Sequence, residues 1–306
     1  MNYLSALELI YSKAPFQKKK IQSFLENKDP TFYEQANVFV SDYEKYLEAQ
    51  GLQFEFAIDA YLAMCKDMIV CQVSFMRTGK YPAENQSQAF FEVYDSREVM
   101  FGYMVGLGFS QFLWSSHYEM YEHLKAELQL GKQNISSYLE IGPGHGLFLK
   151  YALQNLNANC DFKVIDISST SIDMARSLME LDPHSEHKNI EYITGDFLEF
   201  HDNKKFDVIV MGEVLEHVDN PKEMLRKIKD LLAPTGKAFI STCINCPMTD
   251  HVFHFHTVDE VKEIFASAGL QIFSERILPV EDLPMEDIVR RKITINYSAM
   301  VCVEEV

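Results

Sequence analysis

Two hydrophobic rhythms divide the chain. Through residues 1–132, apolar side chains recur every three or four positions with almost no strand-like run, the pattern of amphipathic helices. Asp29-Pro30 offers an N-cap and a first-turn proline for a helix that Gly51 would close. A second helix, FEFAIDAYLAMCKDMIVCQVSFMRTG, ends at Gly79 and Pro82. A third helical region runs over residues 94–128. Gly102, Gly106 and Gly108 interrupt it, either to let it move or to let other helices approach closely. Gly131 marks a boundary.

From Ser136 the pattern becomes alternating strands and helices. The strand candidates are SYLEIG, DFKVIDIS, IEYITGD, FDVIVMGE, GKAFISTC, QIFSERILPV and ITINYSAMVCVEEV, with helices expected after each of the first five. Such alternation predicts an α/β fold with a doubly wound, mostly parallel seven-stranded sheet. No capped helix separates the last two candidates, so an antiparallel pair should end the sheet. A helical N-terminal domain, residues 1–132, would then stand over a catalytic domain, residues 133–306.

Composition narrows the partners. Hydrophobic residues make up 47% and charged residues 24% of 306, an ordinary globular balance. With 45 acidic against 28 basic side chains, the formal charge is −17. Nucleic acid would repel so acidic a chain. No run has the roughly 18–20 apolar residues of a membrane span. The start lacks an export-signal pattern, and six scattered cysteines read as reduced thiols, so a cytoplasmic location is expected.

Candidate chemistry gathers at strand ends. YLEIGPGHGLFLKYAL places Gly142, Gly144 and Gly146 between a buried strand and a helix. A dinucleotide fingerprint would want a small residue where Leu147 stands, and no Gly-Lys-Ser/Thr ending marks a phosphate loop. Asp166 ends the second strand, twenty residues beyond Gly146. A carboxylate there can accept from both hydroxyls of a ribose. Asp196 ends the third strand, where it could accept from an adenine amino group beside Phe197. Either aspartate alone could simply cap a helix. The ordered set at successive strand ends is what points to a ligand.

With these residues in place the chain resembles the class I S-adenosylmethionine-dependent methyltransferases, Rossmann-like enzymes. LEIGPGHG, VIDIS, GDFLEF and GEVLEHV stand for that family's successive motifs, and the resemblance runs from about Ser136 to the C-terminus. It implies that Glu140, Gly142, Gly144 and Gly146 shape the methionine end of the site. Asp166 and Ile167 would hold the ribose, Asp196 and Phe197 the adenine, and Met211, Gly212 and Glu213 would border the sulfonium. S-adenosyl-L-methionine would be the cofactor and S-adenosyl-L-homocysteine the product.

A general base, where the acceptor is a hydroxyl, is sought in CPMTDHVFHFHTVDEV, with Asp250, His251, His254 and His256. Histidine titrates near neutrality, and His251 and His254 are the favoured pair. His217 is read as lining or packing. Trp114, His117, Tyr118 and Tyr121 share helix faces and form either core or an acceptor-binding lid. Cys243-x-x-Cys246 followed by His251 and His254 looks like a zinc set. Cys243 lies at a strand end whose neighbours face opposite ways, so no metal is expected.

The loop around residues 245–261 and the ITINYSAMV ending look similar to methyltransferases of bacterial polyketide and aryl-polyene pathways. That resemblance implies a hydroxyaryl acceptor methylated at oxygen or a ring carbon, free or on an acyl carrier protein. N-methylation of a small amine and a non-catalytic cofactor-binding scaffold are the rival readings. The N-terminal helices could also mediate a homodimer.

Overall fold

A computed structural model describes residues 1–186 and 188–304. Seven helices come first: α1 (Tyr3–Lys13), α2 (Lys18–Leu25), α3 (Pro30–Ala49), α4 (Glu55–Thr78), α5 (Gln86–Ala89), α6 (Arg97–Ser110) and α7 (Ser115–Gly131). The Asp29 carboxylate caps α3 by accepting the Phe32 N–H at 3.0 Å. Gly51 and Gly79 leave α3 and α4 at φ of 75° and 68°, where a Cβ would be strained.

The third helical region differs from its expectation. It breaks between Ser110 and Ser115, while all three glycines lie inside α6. Two of them allow close packing. A Cβ on Gly106 would stand 2.8 Å from the Ala60 carbonyl of α4, and one on Gly108 would collide with the Tyr43 hydroxyl of α3. One π-helical turn, Phe90–Tyr94, precedes α6.

The sheet comprises β1 (Ser137–Ile141), β2 (Asp161–Asp166), β3 (Asn189–Thr194), β4 (Phe206–Gly212), β5 (Leu232–Ile244), β6 (Leu270–Pro279) and β7 (Ile295–Val303), in the order β3-β2-β1-β4-β5-β7-β6. The first five pair in parallel, and β7 runs antiparallel between β5 and β6. All seven candidates form strands; residues 305 and 306 of the last candidate lie outside the described residues. The connecting helices are α8 (Leu147–Asn155), α9 (Ser169–Glu180), α10 (Pro221–Leu231), α11 (Val258–Ser267) and α12 (Met285–Arg290). One expected helix does not form. Between β3 and β4 there is only a 3₁₀ turn, Phe197–Glu199, which Asp196 caps through the Leu198 N–H at 2.8 Å.

Strand alternation sorts the core into two layers. Leu139, Ile141, Ile209 and Met211 pack with α10 and α11 on one face. Tyr138, Val208, Val210 and Phe239 face the other way, into a single apolar cluster with Tyr43, Tyr61, Val105 and Phe109 of the N-terminal helices. The helical part and this sheet face therefore share one core. The strand order reverses between β1 and β4, which pair with each other in parallel at the centre of the sheet. Ligands of open parallel sheets bind outside the carboxyl ends at such a switch point.

Candidate active site

At that switch point, Gly142, Gly144 and Gly146 take φ of 66°, 50° and 74°. The Gly142 N–H donates to the Ile165 carbonyl at 2.8 Å, tying the turn to β2. A Cβ on Gly142 would meet Val214 at 2.6 Å, and one on Gly212 would meet the Phe148 ring at 2.7 Å. Side chains are thus excluded from both carboxyl ends that flank the crevice.

The crevice opens into a cavity of about 990 Å³ between the strand ends and the helical layer. Glu140, Gly142, Gly144, Asp166, Ile167, Asp196, Phe197, Gly212 and Glu213 all line it. Met211 and Gly146, expected at the cofactor, do not. Met211 is buried in the sheet core, and a Cβ on Gly146 would abut α9 instead.

Burial sets the acid–base character of this wall. It pushes the Glu140 carboxyl up to about 8, although Tyr138 donates its hydroxyl to that carboxyl. It likewise lifts Asp166 to about 7, against a hydrogen bond of 2.7 Å from the Ser168 N–H. Asp166 therefore does brace the start of α9 through the Ser168 N–H, with the Ser171 hydroxyl also favouring its charged form, and a carboxylate with four acceptor sites still has some left for a ligand.

A half-buried polar cluster lines the same cavity beyond the carboxyl ends of β4 and β5. The Tyr94 hydroxyl donates to Asp250 Oδ2 at 3.0 Å and lies 2.8 Å from His217 Nδ1. That same Nδ1 is 3.0 Å from the Asp250 carbonyl and 3.4 Å from its carboxylate. A proton on Nδ1 can be donated to the Asp250 carbonyl, which leaves Nε2 as the accepting nitrogen.

The His251 ring lies edge-on to that of His217 at 4.7 Å. His251 Nδ1 faces the Cys246 carbonyl at 2.6 Å and Cys243 Sγ at 3.6 Å. Burial alone would lower His251, but its contact with Cys246 holds it up, at about 10. Cys243 and His251 together hold the Cys246 thiol down, at about 5. Glu216 accepts from Thr242 Oγ1 at 2.7 Å and from Cys243 Sγ at 3.6 Å.

Several expected site residues fall elsewhere. His254 does not line the cavity: it stacks on Tyr81 at 4.5 Å, bonds Asn245 Oδ1 through Nε2 at 2.8 Å, and burial holds it down to about 4. His256 is exposed. Tyr118 packs on Phe32 at 5.0 Å and Tyr121 stacks on Phe148 at 6.2 Å, so both belong to the core. Trp114 and His117 do face the cavity. Trp114 donates to the Tyr61 hydroxyl at 2.9 Å, and burial keeps His117 neutral, down to about 3.

The cavity also takes Tyr94, Tyr103, Met100 and Met104 from the helical layer, none of which periodicity singles out. The π turn that aims Tyr94 inward leaves no mark in a 3.6-residue rhythm. The cysteines depart furthest from expectation. Ligand atoms of Cys243, Cys246 and His251 lie within 4.8 Å of one another, as do those of Glu216, His217 and His251.

A family model described as a methyltransferase domain matches residues 139–238. The ubiquinone biosynthesis O-methyltransferase of Glaesserella parasuis is 39% identical over 110 residues, 34% of this chain; the chain spans only 44% of that relative's length. The protein of the same name from Coxiella burnetii is 35% identical over 184 residues, 53% of this chain and 74% of the relative. Two solved structures share the fold. The N-methyltransferase NodS of Bradyrhizobium japonicum has a TM-score of 0.52 at 18% identity, covering 72% of this chain and all of that one. The mitomycin 7-O-methyltransferase MmcR has a TM-score of 0.53 at 14% identity, covering 81% of this chain and 70% of that one. Among the described residues no helix is long and apolar enough to cross a membrane. The cavity-lining glycines and carboxyls at the carboxyl ends of β1 to β4, with a relative matched over three quarters of its length, place this chain in the class I S-adenosylmethionine-dependent methyltransferases.

Proposed function

We propose that the chain methylates a hydroxyl oxygen of a small aromatic metabolite bound under its N-terminal helical layer, residues 1–132. The observation that carries this reading is one cavity with two unlike kinds of lining. Part of its lining is the glycine turn with Glu140, Asp166 and Asp196, and part is apolar and aromatic side chains of the helical layer, with His217 set among Tyr94 and Asp250. A volume of about 990 Å³ is at the upper end for single-ligand sites, which suits a nucleoside cofactor and an acceptor side by side.

The residues present fit that cofactor. The glycines keep the crevice free of side chains, Asp166 retains acceptor capacity for a ribose diol, and Asp196 with Phe197 borders the place for an adenine. When bound, S-adenosylmethionine supplies an already activated methyl group. The chain then has to align an acceptor oxygen and exclude water, and such positioning is worth roughly 7–11 kcal/mol in favourable cases.

His217 Nε2 takes the acceptor's proton, while Nδ1 is steadied by the Asp250 carbonyl and the Tyr94 hydroxyl. An orienting partner behind a histidine base holds it in the useful tautomer. Met100, Met104, Tyr103 and Trp114 supply a flat apolar surface to an aryl ring. The O-methyltransferase relatives support oxygen as the acceptor atom.

The test is a screen for S-adenosylhomocysteine formation with hydroxyaryl acids, their carrier-protein thioesters and small amines. Turnover with a phenol that fails with its methyl ether supports the reading. Turnover with amines alone would replace it with N-methylation, and turnover with thioesters alone would make the carrier-bound form the substrate.

A further inference from the structure

We propose that Cys243, Cys246 and His251 form a zinc site in the wall of the cavity, with Glu216 as the nearest fourth donor. The three ligand atoms lie within 4.8 Å of one another, on residues that are all buried. Zn–S bonds of about 2.3 Å and Zn–O bonds of about 2.0–2.2 Å put tetrahedral ligands roughly 3.5 Å apart, and Cys243 Sγ stands 3.6 Å from Glu216 Oε1. The convergence comes from the loop after β5. Asn245 turns it at a positive φ of 51°, which brings Cys246 back beside Cys243.

A second, independent observation points to a missing cation. Glu213 Oε1 and Asp250 Oδ1 are buried without a hydrogen-bond partner, and Asp250 is only 1% exposed. Among the described residues neither Glu213 nor Glu216 forms an ion pair, and Asp250 meets only His217. Buried Glu216 and Asp250, half-buried Glu213 and two thiols outnumber the one cationic group set among them, His251, and a divalent cation would neutralise the excess. The donor set selects the ion. Thiolates and imidazole favour zinc over magnesium or calcium, which prefer all-oxygen shells. His251 Nδ1 also faces the Cys246 carbonyl, the kind of outer contact that orients ligating imidazoles. On binding, the two sulfurs and the ligating imidazole nitrogen give up whatever protons they still carry to solvent, and two zinc–sulfur bonds and one zinc–nitrogen bond form.

This inference does not rest on the methyl-transfer reading, because its readouts need no turnover. The full-length chain is stripped with a chelator and titrated with zinc chloride and, separately, cobalt(II) chloride. Bound metal is counted by mass spectrometry and melting temperature is followed. Expected are one zinc per chain, a melting temperature that rises with zinc, and a thiolate-to-cobalt charge-transfer band. The double variant Cys243→Ser/Cys246→Ser should weaken zinc by at least roughly 100-fold, while Cys302→Ser, a half-buried thiol on β7, should not. Two results on the unmodified chain would overturn the proposal without any variant: substoichiometric zinc, or a cobalt complex with no thiolate band. Metal retained in full by the double variant would also overturn it, placing the ion on the carboxylates and His217 instead.

Discussion

Met104 of α6 covers Gly144 of the glycine turn: a Cβ on Gly144 would stand 3.2 Å from the Met104 sulfur. The helical layer thus sits directly over the turn that shapes the methionine end of the crevice. Gly144→Ala has two faults, a side chain at a φ of 50° and a push against Met104. The left-handed conformation alone costs about 1–2 kcal/mol, so S-adenosylhomocysteine should bind at least about tenfold more weakly in calorimetry. Met104→Ala removes the cover but leaves the turn. It should lower stability by about 2–5 kcal/mol, as deletion of a buried methionine does, and speed cofactor release in stopped-flow dilution. Unchanged release would mean that the cover does not retain the ligand.

Asp166 makes cofactor affinity depend on pH. Burial lifts its carboxyl to about 7. Below that pH it carries a proton and loses acceptor capacity, and above it both oxygens accept. Affinity for S-adenosylhomocysteine should therefore rise between about pH 6 and pH 8, and Asp166→Asn should flatten the rise. Two charge-assisted hydrogen bonds at about 1.5–3 kcal/mol each predict that Asp166→Ala binds roughly 100-fold more weakly or worse. A wild-type affinity that falls over this interval would rule the carboxylate out as the diol acceptor.

Glu140 predicts the pH dependence of stability. Its folded value, about 8, is above that of an unfolded glutamate, near 4.3. Between those values the folded chain keeps a proton that the unfolded chain has lost. Stability is thus greatest below the unfolded value and declines as pH rises towards 8, by up to about 1.4 kcal/mol per unit. Asp166 contributes in the same direction up to about 7. Urea unfolding from pH 5 to pH 8 should show the decline, and Glu140→Gln, which can still accept from Tyr138, should reduce its slope.

What the sequence reveals follows from range. The glycine turn and the aspartates at the ends of β2 and β3 are legible because each is a local signal, a strand followed by a turn, repeated in order. The single turn after β3 is missed because GDFLEF reads as a helix start, and nothing local says that it stops. Tyr118 and Tyr121 share a helical face with Trp114, but that periodicity cannot tell a face turned to a cavity from one turned to Phe32 and Phe148. The Cys243–Cys246–His251 convergence depends on one backbone reversal at Asn245. Strand alternation, a sound rule inside β5, does not extend past it.

His254, a favoured base candidate, should prove dispensable in kinetics, and His217 should take over that role. His254 is committed to Tyr81 and Asn245 away from the cavity, so His254→Ala should keep kcat and lose stability of about 1–2 kcal/mol from the lost stacking and hydrogen bond. His217 faces the cavity with Nδ1 occupied by Tyr94 and Asp250. His217→Ala should lower kcat by about 10²–10⁴-fold while cofactor binding stays within a few-fold, because only proton removal is lost. Added imidazole should restore part of the rate, a rescue that a merely structural role would not show. Tyr94→Phe leaves the His217 ring in place without its hydroxyl partner, and should reduce kcat more than it raises KM. If His217→Ala turns over at the wild-type rate, the acceptor needs no base from this ring, and an amine acceptor that is already neutral becomes the better fit.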